Sequence, residues 1–287
     1  MPKKHFKYTD FVEADQLRFR IGTGVLEYKS FDMHDHEFAE LVFIRGGSAI
    51  HVTRQEEHSL STGDVFVINP NVPHGFREIN RLLLTNIMFD PLVFVPEKGL
   101  RKLPGFHTLF VLEPNQNAKG RFKNRLRLSP AQLTKITPLL QDLEREYRKK
   151  QQGYESAITG LFFLLTTYLS RAFKNISPTH PSSLLRLANA LSHLEQNFTQ
   201  PITLPDLATK SHLSINQFLR LFKEHYQTSP IDYLVRLRIQ HACDLMRQTD
   251  RSITQIAFDV GFSDSNYFYR QFRKKVGTSA LHFRKGL

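Results

Sequence analysis

Residues 253–279 read ITQIAFDVGFSDSNYFYRQFRKKVGTS, and a similar pattern lies about 50 residues earlier in the chain. The earlier copy runs from Leu207-Ala208 to Thr228-Ser229, and the later copy runs from Ile256-Ala257 to Thr278-Ser279. Each copy contains Phe-x-Arg-x-Phe followed by a basic residue. A repeat of this kind indicates that one structural unit occurs twice.

Each copy has the pattern of a helix-turn-helix unit, in which a short helix, a tight turn and a second helix follow one another. In the first copy, Ser214 is predicted to cap the second helix, and Gln217 completes a capping box. In the second copy, Gly261 permits the turn and Ser263 is predicted to cap the helix. The sequence therefore predicts two helix-turn-helix units, at about 203–225 and 252–275.

The second helix of each unit is amphipathic. Apolar residues at helical spacing predict one buried stripe on each helix: Ile215, Phe218, Leu219 and Phe222 in the first, and Phe268 and Phe272 in the second. Polar residues occupy the open faces and are the candidate DNA-contacting residues: Ser214, Asn216, Gln217, Arg220 and Lys223 in the first unit, and Ser265, Asn266, Tyr269, Arg270, Arg273 and Lys274 in the second. Amide and guanidinium groups read base edges, and ammonium groups suit phosphate. For a single helix, a polar face that contacts only solvent is the ordinary alternative to a DNA-contacting face. Two such faces, one in each copy of the repeat, favour DNA recognition.

A predicted connecting helix between the two units begins after Ser229-Pro230 and runs to about Arg247. Its roughly 18 residues give a length of about 27 Å. Successive major grooves on one face of DNA lie about 34 Å apart. We therefore expect one protomer to place its two recognition helices in adjacent grooves. Arg236 and Arg238 on the connecting helix are candidates either for phosphate contact or for plain surface.

At these residues the chain resembles the AraC/XylS family of bacterial regulators. The resemblance covers about 100 residues and is strongest in 253–263, 267–279 and 283–284. It implies DNA binding through both recognition helices, frequent dimerisation and recruitment of RNA polymerase. Two residues depart from the family pattern: Ala280 replaces a usual Pro, and Gln227 replaces a usual Gly. Each departure is expected to reduce local rigidity rather than DNA contacts.

The composition agrees with a double-stranded DNA partner. The formal net charge is +12, and residues 182–287 hold 14 Lys and Arg against 8 Asp and Glu. A basic protein attracts polyanions, which include nucleic acid and anionic membrane surfaces. The single cysteine, Cys243, excludes a disulfide framework and a paired-cysteine metal motif. Residues 1–15 lack a signal peptide, and the apolar run Ile158–Leu169 is too short to span a bilayer, so we expect a cytoplasmic bacterial protein without membrane contact.

The N-terminal part reads as short strands followed by helices. The runs 39–44, 49–52, 64–68 and 82–89 are separated by turn signals, among them Arg45-Gly46-Gly47, and such spacing is typical of a sandwich or barrel. The predicted fold is a multidomain α+β chain, with an N-terminal cupin-like β-barrel and dimerisation helices ahead of an all-α C-terminal domain. Its predicted parts are a barrel at 1–128, a helical dimerisation segment at 129–173, a linker at 174–183 and a DNA-binding domain at 184–287. The helical segment is expected to begin with a Ser129–Gln132 capping box. Its second helix is apolar around much of its circumference, so one face can cover the barrel and the other can meet a partner subunit; burial of both faces within one subunit is the alternative.

Four chemistry-bearing side chains are predicted to converge inside the barrel: His34, His36, Glu40 and His74. The first three share parity, so on an extended strand they face one side. Their pattern resembles the two cupin motifs, in which three His and one Glu converge and can bind Ni, Fe, Mn or Zn. Three interpretations remain open: a divalent metal site, direct hydrogen bonding to a polyhydroxylated small-molecule effector, and a structural network. The order of these residues is also similar to sugar-responsive members of the family, particularly the rhamnose-operon activators, which implies a sugar effector.

The sequence therefore predicts a sequence-specific transcription regulator, by family resemblance an activator, that responds to a small effector and is not an enzyme. The competing hypothesis is a metal-dependent cupin enzyme with an appended DNA-binding domain. In that case the His/Glu set would perform chemistry on a bound diol or sugar. A third class, an RNA-binding or architectural protein, is disfavoured because no aromatic stacking platform is evident and the recognition helices carry base-reading groups.

Overall fold

The computed structural model describes residues 4–13, 16–54, 56–91, 93–94, 98–112, 114, 125–173 and 183–286. It divides into two compact units, Met1–Leu184 and Leu185–Leu287. Nearly all of the predicted linker at 174–183 lies outside the described residues.

The N-terminal unit is built on one sheet of eight strands among the described residues. The strands are β1 (Lys4–Phe6), β2 (Phe19–Leu26), β3 (Ser30–His36), β4 (Ala39–Thr53), β5 (Glu57–Ser61), β6 (Asp64–Ile68), β7 (His74–Phe89) and β8 (Leu126–Arg127). Their order is β1-β3-β7-β4-β6-β8, with β2 paired to β7 and β5 paired to β4. The long strands β4 and β7 pair with each other. Strands β2 and β3 also pair with β7, and strands β5 and β6 also pair with β4.

Both faces of β4 are buried, which explains its continuous apolar run. Leu41 and Phe43 belong to a core shared with the helices, whereas Val42 and Ile44 belong to a second core on the opposite face of the sheet. The predicted turn at 45–47 is wrong, because these residues form a β-bulge inside β4. Gly47 has φ +73°, and a Cβ there would lie 2.2 Å from the carbonyl oxygen of Arg81. The close backbone approach, and not a chain reversal, accounts for this glycine.

Two long helices cover one face of the sheet. After the short helices α1 (Lys98–Arg101) and α2 (Pro104–Phe106) and a π-helical turn at His107–Leu112, the chain forms α3 (Pro130–Lys149) and α4 (Tyr154–Phe173). The predicted capping box at the start of α3 is present, since the Ser129 side chain accepts a hydrogen bond from the backbone of Gln132. Helix α4 is longer than the apolar run noted in the sequence, and by length and composition it meets the criteria for a membrane span. However, its residues Ile158, Leu165 and Leu169 are fully buried in the core beneath the sheet.

The described C-terminal unit is helical throughout. Its helices are α5 (Ser183–Asn197), α6 (Leu204–Ser211), α7 (Ile215–Tyr226), α8 (Pro230–Gln248), α9 (Ile253–Asp259), α10 (Ser265–Val276) and α11 (Ala280–Lys285). The pairs α6–α7 and α9–α10 are the two helix-turn-helix units, and α8 is the predicted connecting helix. Phe218, Phe222, Phe268 and Phe272 are fully buried, which confirms the repeated inward Phe pair.

Two local predictions in this unit were wrong. Ile215 is 41% exposed, because it is the first residue of α7 and lies one turn before the buried stripe begins. Helix α10 is capped by Asp264 rather than by Ser263, with the Asp264 carboxylate accepting a 2.8 Å hydrogen bond from the backbone of Asn266. In α7, by contrast, the predicted Ser214–Gln217 capping box is present.

Each of the two family departures has a counterpart in the other copy of the repeat. Gln227 ends α7 with φ +53°, and its counterpart Gly277 ends α10 with φ +85°. A left-handed conformation costs a residue with a side chain about 1–2 kcal/mol, so Gln227 stores strain that Gly277 does not. Ala280 is the first residue of α11 after the cap Ser279, as Pro230 is the first residue of α8 after Ser229.

Candidate functional site

The first recognition helix, α7, presents the predicted polar face to solvent. Asn216, Gln217, Arg220 and Lys223 are all exposed, as is the cap Ser214. The amide oxygen of Gln217 accepts hydrogen bonds from Ser214, at 3.2 Å from its backbone nitrogen and 3.1 Å from its hydroxyl. The amide nitrogen of Gln217 is therefore the part left for an outside acceptor. Within the described part of the chain, no ion pair holds Arg220 or Lys223.

The second recognition helix, α10, has a matching face. Asn266, Tyr269, Arg270, Arg273 and Lys274 are exposed, and Ser265 is half-buried. The Arg270 guanidinium lies 5.9 Å from the centre of the Tyr267 ring, within the range of a cation–π contact. The Tyr269 hydroxyl lies 3.3 Å from the Thr254 hydroxyl of α9. These contacts restrict the side-chain freedom of two candidate reading groups before any partner binds.

The connecting helix α8 fixes the second unit through polar contacts as well as its apolar core. Its 19 residues correspond to a length of about 28 Å. Lys275 of α10 forms a 2.6 Å ion pair with Asp232 of α8. Arg236, on the same helix, is exposed to solvent, and its guanidinium lies 3.4 Å from the Asp232 carboxylate.

Arg238 is not available for phosphate contact. Its guanidinium donates hydrogen bonds to the backbone carbonyls of Phe198 at 2.7 Å and Gln200 at 2.8 Å. Partial burial lowers its pKa from the ordinary arginine value. Both groups that Arg238 satisfies are backbone carbonyls of the loop after α5. The residue therefore holds that loop to α8, and of the two predicted arginines only Arg236 remains open.

In the N-terminal unit, the four predicted His and Glu side chains come together on the inner face of the sheet. His34 and His36 lie on β3, Glu40 on β4 and His74 on β7, and all four are buried. His34 and His74 are direct cross-strand partners. The Glu40 Oε2 atom lies 3.6 Å from His36 Nε2 and 3.7 Å from His74 Nε2. The donor atoms of these three residues lie within 4.8 Å of one another, and His34 lies outside that group.

The backbone fixes the orientation of the imidazoles. The Nδ1 atoms of His36 and His74 lie 2.7 Å from the carbonyl oxygen of Phe38 and 2.9 Å from that of Val72, respectively. A carbonyl only accepts, so Nδ1 carries the proton and donates. In a neutral ring Nε2 is then the unprotonated nitrogen, and in both residues it points toward Glu40.

Burial and mutual contact set the charge states in this cluster. Burial raises the pKa of the Glu40 carboxyl, but its interactions with His36 and His74 outweigh that effect and hold this pKa well below its usual range. Burial, together with the charge of His74, lowers the pKa of His34 to about 4. Near neutral pH the cluster therefore contains a Glu40 carboxylate and a neutral His34 ring.

His51 is a further member of this region that the sequence did not point to. It lies fully buried on β4, its ring is 5.9 Å from that of His74, and burial lowers its pKa well below the ordinary histidine value. No spacing motif contains it. The only available signal was its position in β4, and the bulge after Ile44 made that position impossible to assign by counting alternate residues.

A cavity of about 390 Å³ reaches this cluster at His34. Its lining combines aromatic rings with polar groups: Lys4, Phe6, Tyr28, Ser30, Phe31, Asp32 and His34. The His34 ring packs against Phe31 at 4.8 Å on the cavity side and against His74 at 4.2 Å on the cluster side. A small polar molecule in the cavity would therefore meet His34 first.

Comparison with known proteins identifies both units. Residues 26–165 match the AraC-like ligand binding domain, and residues 207–286 match a helix-turn-helix domain. The chain is 28% identical over 254 residues to the HTH-type transcriptional activator RhaR of Mannheimia succiniciproducens, covering 88% of this chain and 87% of that protein. It is 29% identical over 277 residues to the HTH-type transcriptional activator RhaS of Escherichia fergusonii, covering 96% and 95%.

Among solved structures, an AraC-type transcriptional regulator from Chromobacterium violaceum is 33% identical to this chain, with a TM-score of 0.33. The match covers 35% of this chain and 89% of the regulator's chain. The two matched domains show a sheet-rich ligand-binding domain followed by a helical domain with two helix-turn-helix units. The chain belongs to the AraC family of transcriptional regulators.

Proposed function

We propose that this protein activates transcription when a small polyhydroxylated effector binds in its N-terminal unit, and that it acts as a regulator rather than an enzyme. The observation that carries the proposal is the exposure of two equivalent polar faces, on α7 and α10, within one compact unit. Both faces offer guanidinium and amide groups. The site of action is the bacterial cytoplasm, where the DNA lies.

On this proposal each recognition helix enters a major groove. Arg220 and Arg270 donate two hydrogen bonds to a guanine edge, and Asn216 and Asn266 read adenine. The remaining polar residues of both faces fix the position on the backbone: Ser214, Gln217, Lys223, Ser265, Tyr269, Arg273 and Lys274. Helix α8 sets the separation of the two helices, which suits adjacent grooves about 34 Å apart.

The proposed effector is a sugar bound through His34, His36, Glu40 and His74. Imidazole and carboxylate groups hydrogen-bond well to hydroxyls, and the cavity beside His34 adds aromatic and polar walls for a small ring. The similarity to the activators RhaR and RhaS supports an effector-responsive activator. A ligand shifts the DNA-binding equilibrium only by its differential affinity for two states of the protein.

The effector proposal is tested by selecting DNA from a random pool with the full-length chain and then titrating the selected site with and without sugars. We expect one sugar among L-rhamnose, L-arabinose and D-xylose to change the affinity by about 5–150-fold, the usual range for coupled sites. The double variant His34→Ala with Glu40→Ala should lose this response and keep its basal DNA affinity. An unchanged dose–response curve in the variant would exclude these residues as the effector site. Turnover of the sugar would instead support the enzyme hypothesis.

We further propose that the protein forms homodimers through α4 and contacts RNA polymerase when bound to DNA. Leu164 of α4 is 42% exposed and is flanked on that helix by the half-buried Leu161 and Tyr168. A charge at this position would be desolvated in a dimer interface. Leu164→Lys is expected to convert the dimer to a monomer in sedimentation experiments. Val93→Lys, at an apolar residue outside α4 that is 50% exposed, should remain dimeric. A monomeric parent protein, or a dimeric Leu164→Lys variant, would exclude this interface.

A further inference from the structure

The separations around Glu40 are informative because they match neither a direct hydrogen bond nor a water bridge. The Oε2 atom lies 3.6 and 3.7 Å from the two Nε2 atoms. Direct nitrogen–oxygen hydrogen bonds are about 2.7–3.2 Å long, and two such bonds through one water would separate the outer atoms by roughly 4.5 Å. Two metal bonds of about 2.1 Å meeting at a wide angle span about 3.6 Å. The distance from Glu40 to each histidine therefore suits an ion bound between carboxylate and imidazole, and all three donor atoms lie within 4.8 Å of one another.

The hydrogen bonds that hold the His36 and His74 rings are also typical of metal-binding histidines. Metal-binding histidines usually donate their second ring N–H to a carbonyl or carboxylate, which fixes the ring and the tautomer. His36 and His74 both do this, through Phe38 and Val72. Their Nε2 atoms are buried and have no hydrogen-bond partner among the described residues. Such an orphaned acceptor is costly in a protein interior unless something else binds there.

We propose that His36, Glu40 and His74 bind one divalent transition-metal ion and that His34 is not a ligand. The identity of the effector rests on the function proposed above, whereas the ion site rests on the three donor atoms alone. Two imidazoles and one carboxylate favour Zn, Fe, Co or Ni over Mg or Ca, which prefer all-oxygen sites. Three protein ligands leave open positions, and a bound ion supplies a Lewis acid for hydroxyl oxygens.

His34 has a different role in this arrangement. Its Nδ1 lies 2.9 Å from the Asp32 carbonyl oxygen, and its ring is packed between Phe31 and His74 at the cavity. It separates the three-residue site from the cavity space and would contact an effector that approaches the ion. The cupin-like pattern of four ligands, suggested by the sequence, is thereby reduced to three.

The test uses full-length, tag-free protein that has been stripped with a chelator, loaded with Co²⁺ or Zn²⁺ and desalted. We expect about one ion per chain and, for Co²⁺, a visible absorption band that reports nitrogen and oxygen ligands. His36→Gln and Glu40→Gln should each weaken metal affinity at least about a hundredfold, since even loss of an outer-shell partner costs 10–100-fold. His34→Gln should bind the ion as the parent does.

His107→Gln is the matched control, because His107 is equally buried in the same unit, hydrogen-bonded to the Arg101 carbonyl and outside the donor set. It should bind metal normally. Circular dichroism and binding to the selected DNA are measured on the same samples, so failure of the ion site is distinguished from failure of the regulator function. Less than about a tenth of an ion per parent chain, or equal uptake by a folded Glu40→Gln variant, would overturn the proposal. Loss of the ion in His34→Gln would overturn the three-residue assignment.

Discussion

Replacing Arg220 and Arg270 together by alanine is expected to weaken binding to the selected DNA site by about 2–6 kcal/mol. Each arginine is exposed near the middle of its recognition helix, and removing a two-bond contact to guanine costs about 1–3 kcal/mol. The two residues lie in different helix-turn-helix units that share no partner, so their effects should add. Each 1.4 kcal/mol corresponds to a tenfold change in affinity.

The measurement is a fluorescence anisotropy titration at fixed salt, with the selected site and with sites altered at single base pairs. Arg220→Ala should relax specificity at one position, and Arg270→Ala at a position about one helical turn away. Arg148→Ala is the matched control, because Arg148 is an exposed arginine on α3 in the N-terminal unit. It should bind as the parent does. If neither single variant loses affinity or specificity, α7 and α10 do not lie in the grooves as proposed.

The sequence predicted the C-terminal unit well because its signals are local. A buried Phe pair, a cap three residues before a polar partner and a Pro at the first helical position act within one or two turns of helix. The buried Phe pair recurs in both copies, whereas the Ser214–Gln217 capping box and the Pro at the first helical position, Pro230, occur only in the first copy. The prediction failed where two candidates stood side by side. Ser263 and Asp264 are both good caps, and only the path of the chain after Gly261 decides in favour of Asp264.

The N-terminal site was predictable in its members but not in its geometry. Parity placed His34, His36 and Glu40 on one side of a single strand, whereas the structure divides them between β3 and β4 and still brings the side chains together. Which of them point at a common centre depends on the register shift between β3 and β7 at Phe31–His34 and on the packing of Phe31 against His34, neither of which follows from spacing. Arg238 is a similar case. Its polar partners are carbonyls about 40 residues away, a contact that only the tertiary fold creates.

Gly261→Ala is expected to destabilise the C-terminal unit by about 3–4 kcal/mol, whereas Gly277→Ala should cost only about 1 kcal/mol. Both glycines have positive φ, +96° and +85°, so the conformational cost of a side chain is similar at the two positions. Their surroundings differ. A Cβ on Gly261 would lie 2.6 Å from the carbonyl oxygen of Thr199, and a Cβ on Gly277 would meet nothing within 4 Å. The difference therefore isolates the steric contact.

The contact between Gly261 and the Thr199 carbonyl lies where the loop after α5 packs against the turn before the second recognition helix, α10. The loop at Thr199 is held by Arg238 of α8 through the carbonyls on either side, Phe198 and Gln200, and Gly261 approaches the carbonyl between them. Backbone must move to admit a methyl group, so α10 should shift with it and DNA affinity should fall more than stability alone predicts. Amide hydrogen exchange of α8 and α9 in the full-length chain gives the local free energy of unfolding for both variants. Equal losses in the two variants would show that the turn at Gly261 needs only a positive φ and that the loop does not position the recognition helix.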